Sequence, residues 1–236
     1  MHQLSIVSIN QVNKVNLNHF LSVREMDSYL KTAIEKKQKS FVAGRIAGKL
    51  ACLKSIKNLN LMDLEIVNDL EGEFKGRPQL FYKQNVLGNV SITHSQDLAG
   101  ATFDTEENIG IDLEYVCKRD FAFYKFNFTP KEKDIIGKLN SIDFDTVVTL
   151  FWTAKEAMSK AIGIGLQVDA RNFEINISLK SLRDFIESDR EQIVFEGKYS
   201  NDVGAFQISS RRVVYNNSLY YLTTAKIINN EIGRKQ

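Results

Sequence analysis

Two long helical patterns, each followed by a train of short strand-like runs, constrain this chain more than any other feature. From Val23 to Ile56 the spacing predicts helix, broken near the Lys36–Lys39 cluster, with Phe41, Ile46, Leu50 and Leu53 along one apolar stripe. Phe144 to Ile162 predicts a second helix, with Phe151, Ala154, Met158 and Ile162 on one face and Gly163 with Gly165 ending it. Leu4 to Ile9 opens the chain as a strand. Strand-like runs at Leu64–Val67, Gln79–Tyr82, Val90–Thr93, Ala99–Phe103 and Ile109–Tyr115 follow the first helix, with turns expected at Gly76-Arg77-Pro78 and Gly88-Asn89. Further runs at Phe173–Ile177, Gln192–Glu196, Gly204–Ser209 and Leu219–Ile227 follow the second. Thr129-Pro130-Lys131-Glu132 is a capping box with proline at the first helical position, so another helix starts there. Ser178–Asp189 reads as an insertion without an assigned role. Helices then strands, twice over, predict an α+β fold of two similar-sized lobes, residues 1–105 and 106–236. No residue-level repeat between the two halves is visible.

Bulk properties narrow the function classes. With 236 residues, 43% of them hydrophobic, the chain can bury one large core or two small ones. A formal charge of +2 excludes a polycation built to coat nucleic acid. Cys52 and Cys117 are far apart and match no metal-ligand spacing, which fits reduced thiols of a cytoplasmic protein. Met1–Asn10 lacks the charged start and long apolar stretch of a signal peptide, and no apolar run is long enough to cross a bilayer. The expectation is a cytoplasmic protein with neither membrane nor nucleic-acid partner.

Two constellations carry chemistry. Gly110-Ile111-Asp112-Leu113-Glu114 falls in a predicted strand, so Asp112 and Glu114 leave the same face, with Cα atoms roughly 7 Å apart. Two such carboxylates repel unless a cation stands between them, and hard oxygen ligands suit Mg²⁺. Taken alone, the pair also fits the solvated edge of an amphipathic strand. Trp152, Glu156 and Lys160 follow one another at intervals of four and share a face of the second helix. Taken alone, that face also fits an ordinary intrahelical ion pair. The Glu156–Lys160 spacing belongs to a helix, which argues against a Mg²⁺ nuclease, where the corresponding pair sits two apart on a strand. Gly44-Arg45-Ile46-Ala47-Gly48-Lys49 is one residue short of a P-loop and continues with Leu50 where Ser or Thr is required.

Together the constellations are more specific. Gly-x-Asp-x-Glu, followed about forty residues later by Trp-x-x-Lys-Glu-Ala-x-x-Lys, resembles the paired signature of the 4′-phosphopantetheinyl transferase superfamily. The length resembles its larger, monomeric, surfactin-synthetase-activating class. The resemblance implies a pseudo-dimeric fold in one chain, two helix-plus-antiparallel-sheet lobes with the coenzyme in the cleft between them. It implies transfer of the 4′-phosphopantetheine group of coenzyme A to a serine of an acyl or peptidyl carrier protein, releasing adenosine 3′,5′-bisphosphate. Asp112, Glu114 and Glu156 would ligate Mg²⁺, and Lys160 would contact the phosphate under attack. The base would be Glu156, or Glu114 acting through a water on the metal.

Three further segments resemble family patterns. Ala43-Gly44-Arg45 places an arginine where the family contacts the nucleotide phosphates, though a surface arginine fits the helix equally well. Gly76-Arg77-Pro78 resembles the family turn whose basic residue reaches the coenzyme. Ser91-Ile92-Thr93-His94-Ser95 resembles an Asn-x-Ser-His-Ser strand end, with Thr93 in place of serine, Ser91 in place of asparagine and His94 expected on a phosphate. The lysines between Lys31 and Lys57 make the first-half helical region basic, which suits steering of a polyanionic coenzyme.

Overall fold

The computed structural model describes residues 3–14, 16–69, 71, 76–139, 144–164, 168–188, 190–200 and 204–228. Gly165 and Asp189, named above as a helix terminator and a segment end, lie outside them. The chain divides into two compact units, Met1–Ile111 and Asp112–Gln236.

The first unit begins with strand β1 (Gln3–Ser8), continues through helices α1 (Val23–Leu30) and α2 (Glu35–Ser55), and then runs through β2 (Leu64–Asn68), β3 (Pro78–Tyr82), β4 (Asn85–Ser95) and β5 (Leu98–Asp104). Its sheet has the order β1-β5-β4-β3-β2, antiparallel throughout. Strand β6 (Ile109–Tyr115) then leads into α3 (Phe121–Asn127), α4 (Pro130–Gly137), α5 (Phe144–Ala161), β7 (Phe173–Asn176), α6 (Leu179–Glu187), β8 (Gln192–Tyr199), β9 (Ala205–Tyr215) and β10 (Ser218–Ile228). The second sheet has the order β6-β10-β9-β8-β7. The two orders are the same topology: one strand, helices, then four strands, the last pairing with the first. The duplication that no alignment of residues reveals is therefore present in the connectivity. The segment read as an insertion is α6, capped by Ser178 and contributing Leu182 and Phe185 to the core; among the described residues no helix corresponds to it between β2 and β3.

The copies also share their central interaction. Thr129 and Glu132 form the foreseen capping box of α4, and the buried Glu132 carboxylate does more than cap. Its Oε2 accepts the Thr129 N–H at 2.8 Å and pairs with Lys155 Nζ of α5 at 2.8 Å, while Oε1 accepts the Ile175 N–H of β7 at 3.0 Å. In the first unit Ser22 and Glu25 form the capping box of α1. Glu25 Oε2 accepts the Ser22 N–H at 2.8 Å and pairs with Lys49 Nζ of α2 at 2.6 Å, and Oε1 accepts the Ile66 N–H of β2 at 3.0 Å. Each carboxylate thus joins a short helix, a long helix and the otherwise unpaired N–H row of an edge strand. Each lysine is fully buried and donates to carbonyls as well: Lys49 to Phe20, Lys155 to Ala170 and Phe173.

This pairing corrects the expected face of the first helix. Because Lys49 turns inward to Glu25, the next residue, Leu50, turns outward and is 37% exposed. The packed face is Val42, Ala43, Ile46, Ala47, Ala51 and Cys52, with Gly44 and Gly48 against the sheet. A Cβ at Gly48 would stand 2.6 Å from Ile66 Cδ1 and one at Gly44 2.9 Å from Ile92 Cγ2, so the helix can approach that closely only without them. The helical break falls at 31–34, just before the lysine cluster near which the spacing predicts it. Gln38 donates from its amide to the carbonyls of Thr32 at 2.8 Å and Tyr29 at 3.4 Å, satisfying the end of α1 from the start of α2.

The hairpin between β3 and β4 corrects a second expectation. The turn is at Lys83-Gln84, both with positive φ (48° and 71°), not at Gly88-Asn89. Gly88 lies inside β4 beside a register shift between Leu80 and Phe81. A Cβ there would meet Asp104 O at 2.5 Å and the Phe103 ring at 2.9 Å, so this glycine serves close strand packing at a bulge rather than chain reversal. Helix α3 was not foreseen: its residues are mostly aromatic and carry no helical stripe, and Asp120 caps it while Phe123 packs edge-on to Trp152 at 4.8 Å.

The shared ion pair is testable by unfolding. Glu132→Gln or Lys155→Met alone leaves an uncompensated group in the interior and should cost roughly 3–5 kcal/mol in urea denaturation. The double substitution should cost clearly less than the sum. Additive losses would show that the two side chains do not act as a pair.

Candidate active site

Strand β6 and helix α5 bring the acidic constellation together within the second unit. Ile111 and Leu113 are buried and Asp112 is only 4% exposed, whereas Glu114 is half-buried. On α5 the buried face runs through Phe151, Ala154 and Met158, as expected, and Lys155 is locked by Glu132. That lock fixes the rotation of the helix and leaves Trp152, Glu156 and Lys160 half-buried on the adjoining face. A buried hydroxyl chain fixes it again: Thr153 Oγ1 lies 2.9 Å from Thr223 Oγ1, which donates to Ser210 Oγ at 2.9 Å.

The charged groups on these two faces act on one another. Lys160 Nζ donates to Asp112 Oδ1 at 2.7 Å, with the lysine side chain one-quarter exposed. Burial pushes the Glu156 carboxyl up to about 7; Lys160 opposes that shift and the negative charges of Asp112 and Glu114 add to it. Burial would pull Lys160 down, but Asp112, Glu156 and Glu114 outweigh it and hold its ammonium above the usual value. Glu114 accepts from Arg119 Nη2 at 3.2 Å, a residue the motif reading passed over. Arg119 is held by its own backbone N–H on Asp145 Oδ1 at 2.9 Å and by its guanidinium 5.0 Å from the Phe123 ring centroid. A lone arginine five residues past an acidic strand gave the only available hint of it.

Among the described residues no three Asp, Glu, His or Cys side chains already converge as metal ligands. Lys160 and Arg119 instead supply the positive charge that the acidic pair requires. The donor set nevertheless suits a hard divalent cation: carboxylates that raise one another's proton affinity, as Asp112 and Glu114 do for Glu156, gain from a shared cation.

The nucleotide-phosphate candidates sit in the first unit. A cavity of about 860 Å³ is lined by residues that include Arg45, His94, Lys36, Lys37, Asn68 and the glycine and proline flanking Arg77. Arg45 Nη2 donates to Asn68 Oδ1 at 2.9 Å, and Arg77 Nη2 donates to Asn89 Oδ1 at 3.1 Å and to Asn108. Burial lowers the proton affinity of both arginines. Thr93 departs from the set. It is buried and alternates along β4 with Ile92 and His94, which line the cavity, so its side chain belongs to the opposite face. Ser91 shares that face and accepts the Ile111 N–H on its hydroxyl at 3.1 Å. Lys36 and Lys37 were visible only as members of a basic run; their place in the first turn of α2 is what sets them on the cavity.

Among the described residues the first unit holds no second acidic site at the matching positions. Aligning the buried lysines sets Leu50 where Glu156 follows Lys155, and β1 (Gln-Leu-Ser-Ile-Val-Ser) carries no carboxylate at all. No described helix is long and apolar enough to cross a membrane.

Comparison with known proteins agrees with the motif. The pattern of the 4′-phosphopantetheinyl transferase superfamily matches residues 108–205. Over 112 residues the chain is 35% identical to the 4′-phosphopantetheinyl transferase HetI of Nostoc sp., a match covering 45% of this chain and 45% of that one. Over 109 residues it is 33% identical to the holo-[acyl-carrier-protein] synthase of Bacillus cytotoxicus, covering 42% of this chain and 87% of that protein. The chain thus spans less than half the length of HetI but most of the shorter synthase. A crystal structure of a holo-(acyl-carrier-protein) synthase from Bacillus anthracis in complex with CoA (3′,5′-ADP) covers 43% of this chain at 24% identity, with a TM-score of 0.38.

The raised Glu156 carboxyl has a pH signature. A group whose folded pKa lies above its ordinary 4.5 contributes stability that is complete below that value and is lost as pH rises through about 7. Thermal melts between pH 5 and 8 should therefore show the wild type losing stability relative to Glu156→Gln as pH rises. Parallel pH profiles for the two proteins would mean that Glu156 is not held among the other carboxylates.

Proposed function

Since the chain belongs to the 4′-phosphopantetheinyl transferase superfamily, we propose that it moves the phosphopantetheine arm of coenzyme A onto a serine of an acyl or peptidyl carrier protein, with Mg²⁺ as cofactor. The observation that carries this reading is the contact of Lys160 on α5 with Asp112 on β6 at 2.7 Å, with Glu114 on the same strand and Glu156 on the same helix. Asp112, Glu114 and Glu156 are the residues that would hold Mg²⁺; when bound, the ion neutralises diphosphate charge.

The serine oxygen attacks the phosphorus that bears the pantetheine. The bond from that phosphorus to the bridging oxygen breaks, and adenosine 3′,5′-bisphosphate leaves. Lys160, held at the acidic cluster by Asp112, supplies positive charge to the phosphoryl oxygens as charge builds on them. The serine proton goes to a carboxylate of this cluster, Glu156 or Glu114. The nucleophile belongs to the carrier, so no Ser-His-Asp set is needed here. Arg45, Arg77 and His94 take the nucleotide phosphates, with Lys36 and Lys37 at the same cavity. Two copies of one topology in a single chain, only one with the acids, favour the larger, monomeric class, and we take the enzyme to act in the cytoplasm.

Incubation with coenzyme A, Mg²⁺ and a carrier protein should raise the carrier mass by one phosphopantetheine. Failure with every class of carrier would remove the reading. Glu156→Gln and Lys160→Ala should each lower turnover by roughly a hundredfold or more, with folding little changed. Near-normal turnover of Glu156→Gln at limiting Mg²⁺ would withdraw the catalytic assignment. In calorimetry, coenzyme A should bind more tightly than its 3′-dephospho form, because a dianion gains charge-assisted hydrogen bonds at the cavity. Equal affinities would remove the phosphate contacts assigned to Arg45, Arg77 and His94.

A further inference from the structure

Arg45 lines the cavity of the first unit, but most of what fixes it lies behind the cavity wall. Its Nη2 donates to Asn68, its Cζ stands 4.5 Å from the Phe41 ring centroid, and its Nε faces Glu25 Oε1 at 3.8 Å. The Glu25 side chain, 2% exposed, has no freedom to turn away. Oε1 is held by the Ile66 N–H, and Oε2 by the Ser22 N–H and Lys49 Nζ. Arg45 and Lys49 are four apart on α2, so one carboxylate faces both cations. A guanidinium carries five N–H donors; Nη2 serves Asn68 and Nε faces Glu25 as an ion pair without a hydrogen bond, so donors are left for an anion.

The second unit provides an internal control. Four residues before Lys155 stands Phe151, fully buried, and among the described residues no arginine pairs with Glu132. The arginine contact of Glu25 is an addition to the shared scaffold, made only in the unit that has the phosphate cavity.

We propose that Glu25 is a positioning residue for coenzyme binding: it holds the Arg45 guanidinium at the cavity wall, ready for a phosphate, while Lys49 fixes Glu25. This rests on the reading of the cavity as the coenzyme site. The test is a cycle of Arg45→Ala, the paired change Glu25→Gln/Lys49→Met, and all three together, read by calorimetry with coenzyme A. Removing the carboxylate and the lysine together leaves Arg45, at the cavity wall, as the one cation of this cluster that loses its partner.

Arg45→Ala should weaken coenzyme A about tenfold, and the paired change by a similar factor. The triple variant should bind no more weakly than Arg45→Ala, since residues acting through one contact are not additive. In the paired variant KM should rise while kcat at saturating coenzyme A stays unchanged. Additive losses, or an unchanged Kd in the paired variant while Arg45→Ala weakens, would overturn the proposal and leave the cavity reading intact. An unchanged Kd in Arg45→Ala would overturn the cavity reading, and the proposal with it. Should the paired variant fail to fold, Glu25→Asp, which keeps the charge but withdraws it by one methylene, enters the same cycle with the same pattern expected.

Discussion

In each unit a buried carboxylate faces a buried ammonium, and much else is arranged around that contact. Glu25 with Lys49 and Glu132 with Lys155 are ionisable groups in an apolar interior, tolerable there because every oxygen and most of the ammonium hydrogens are answered. One pair fixes the cap of a short helix, the rotation of a long helix and the outer edge of a sheet. The rotation matters most. With Lys155 turned inward, its neighbour Glu156 must present its carboxyl beside β6, and Lys160 reaches Asp112. With Lys49 turned inward, Arg45 must stand at the cavity.

The parts of the structure legible in the sequence are those governed by local rules. The capping box at Thr129, the stripe of α5 and the two-residue alternation that sets Asp112 and Glu114 on one face all follow from neighbours along the chain. The matching Ser22-x-x-Glu25 box obeys the same local rule and starts the first helix at Val23, where the spacing predicts it. What could not be read depends on contacts distant in sequence. Leu50 fits an apolar stripe by spacing but loses its place to Lys49, whose partner lies 24 residues earlier. Arg119 joins the acidic cluster through Asp145, and Thr93 leaves the phosphate set because of strand alternation against the helix.

Duplicated architecture with unequal chemistry is the other outcome. Both units keep the costly buried pair, whereas the positions around it have diverged. Leu50 and a β1 without carboxylates stand in one copy, Glu156 with Asp112 and Glu114 in the other. The shared scaffold therefore does not predict chemistry; the residues one step along the helix from each lysine do.

The bulge in the third and fourth strands separates two registers that would otherwise be one. Upstream of it β4 is phased by the tight reversal at Lys83-Gln84; downstream, its pairing with β5 runs without interruption from Asn89 to Ser95. A length change in the hairpin tip can thus be absorbed at Gly88 without passing along the strand to Ile92 and His94. The outer end of the hairpin is free to drift in length and composition over evolutionary time, while the imidazole at the other end of the same strand keeps its address.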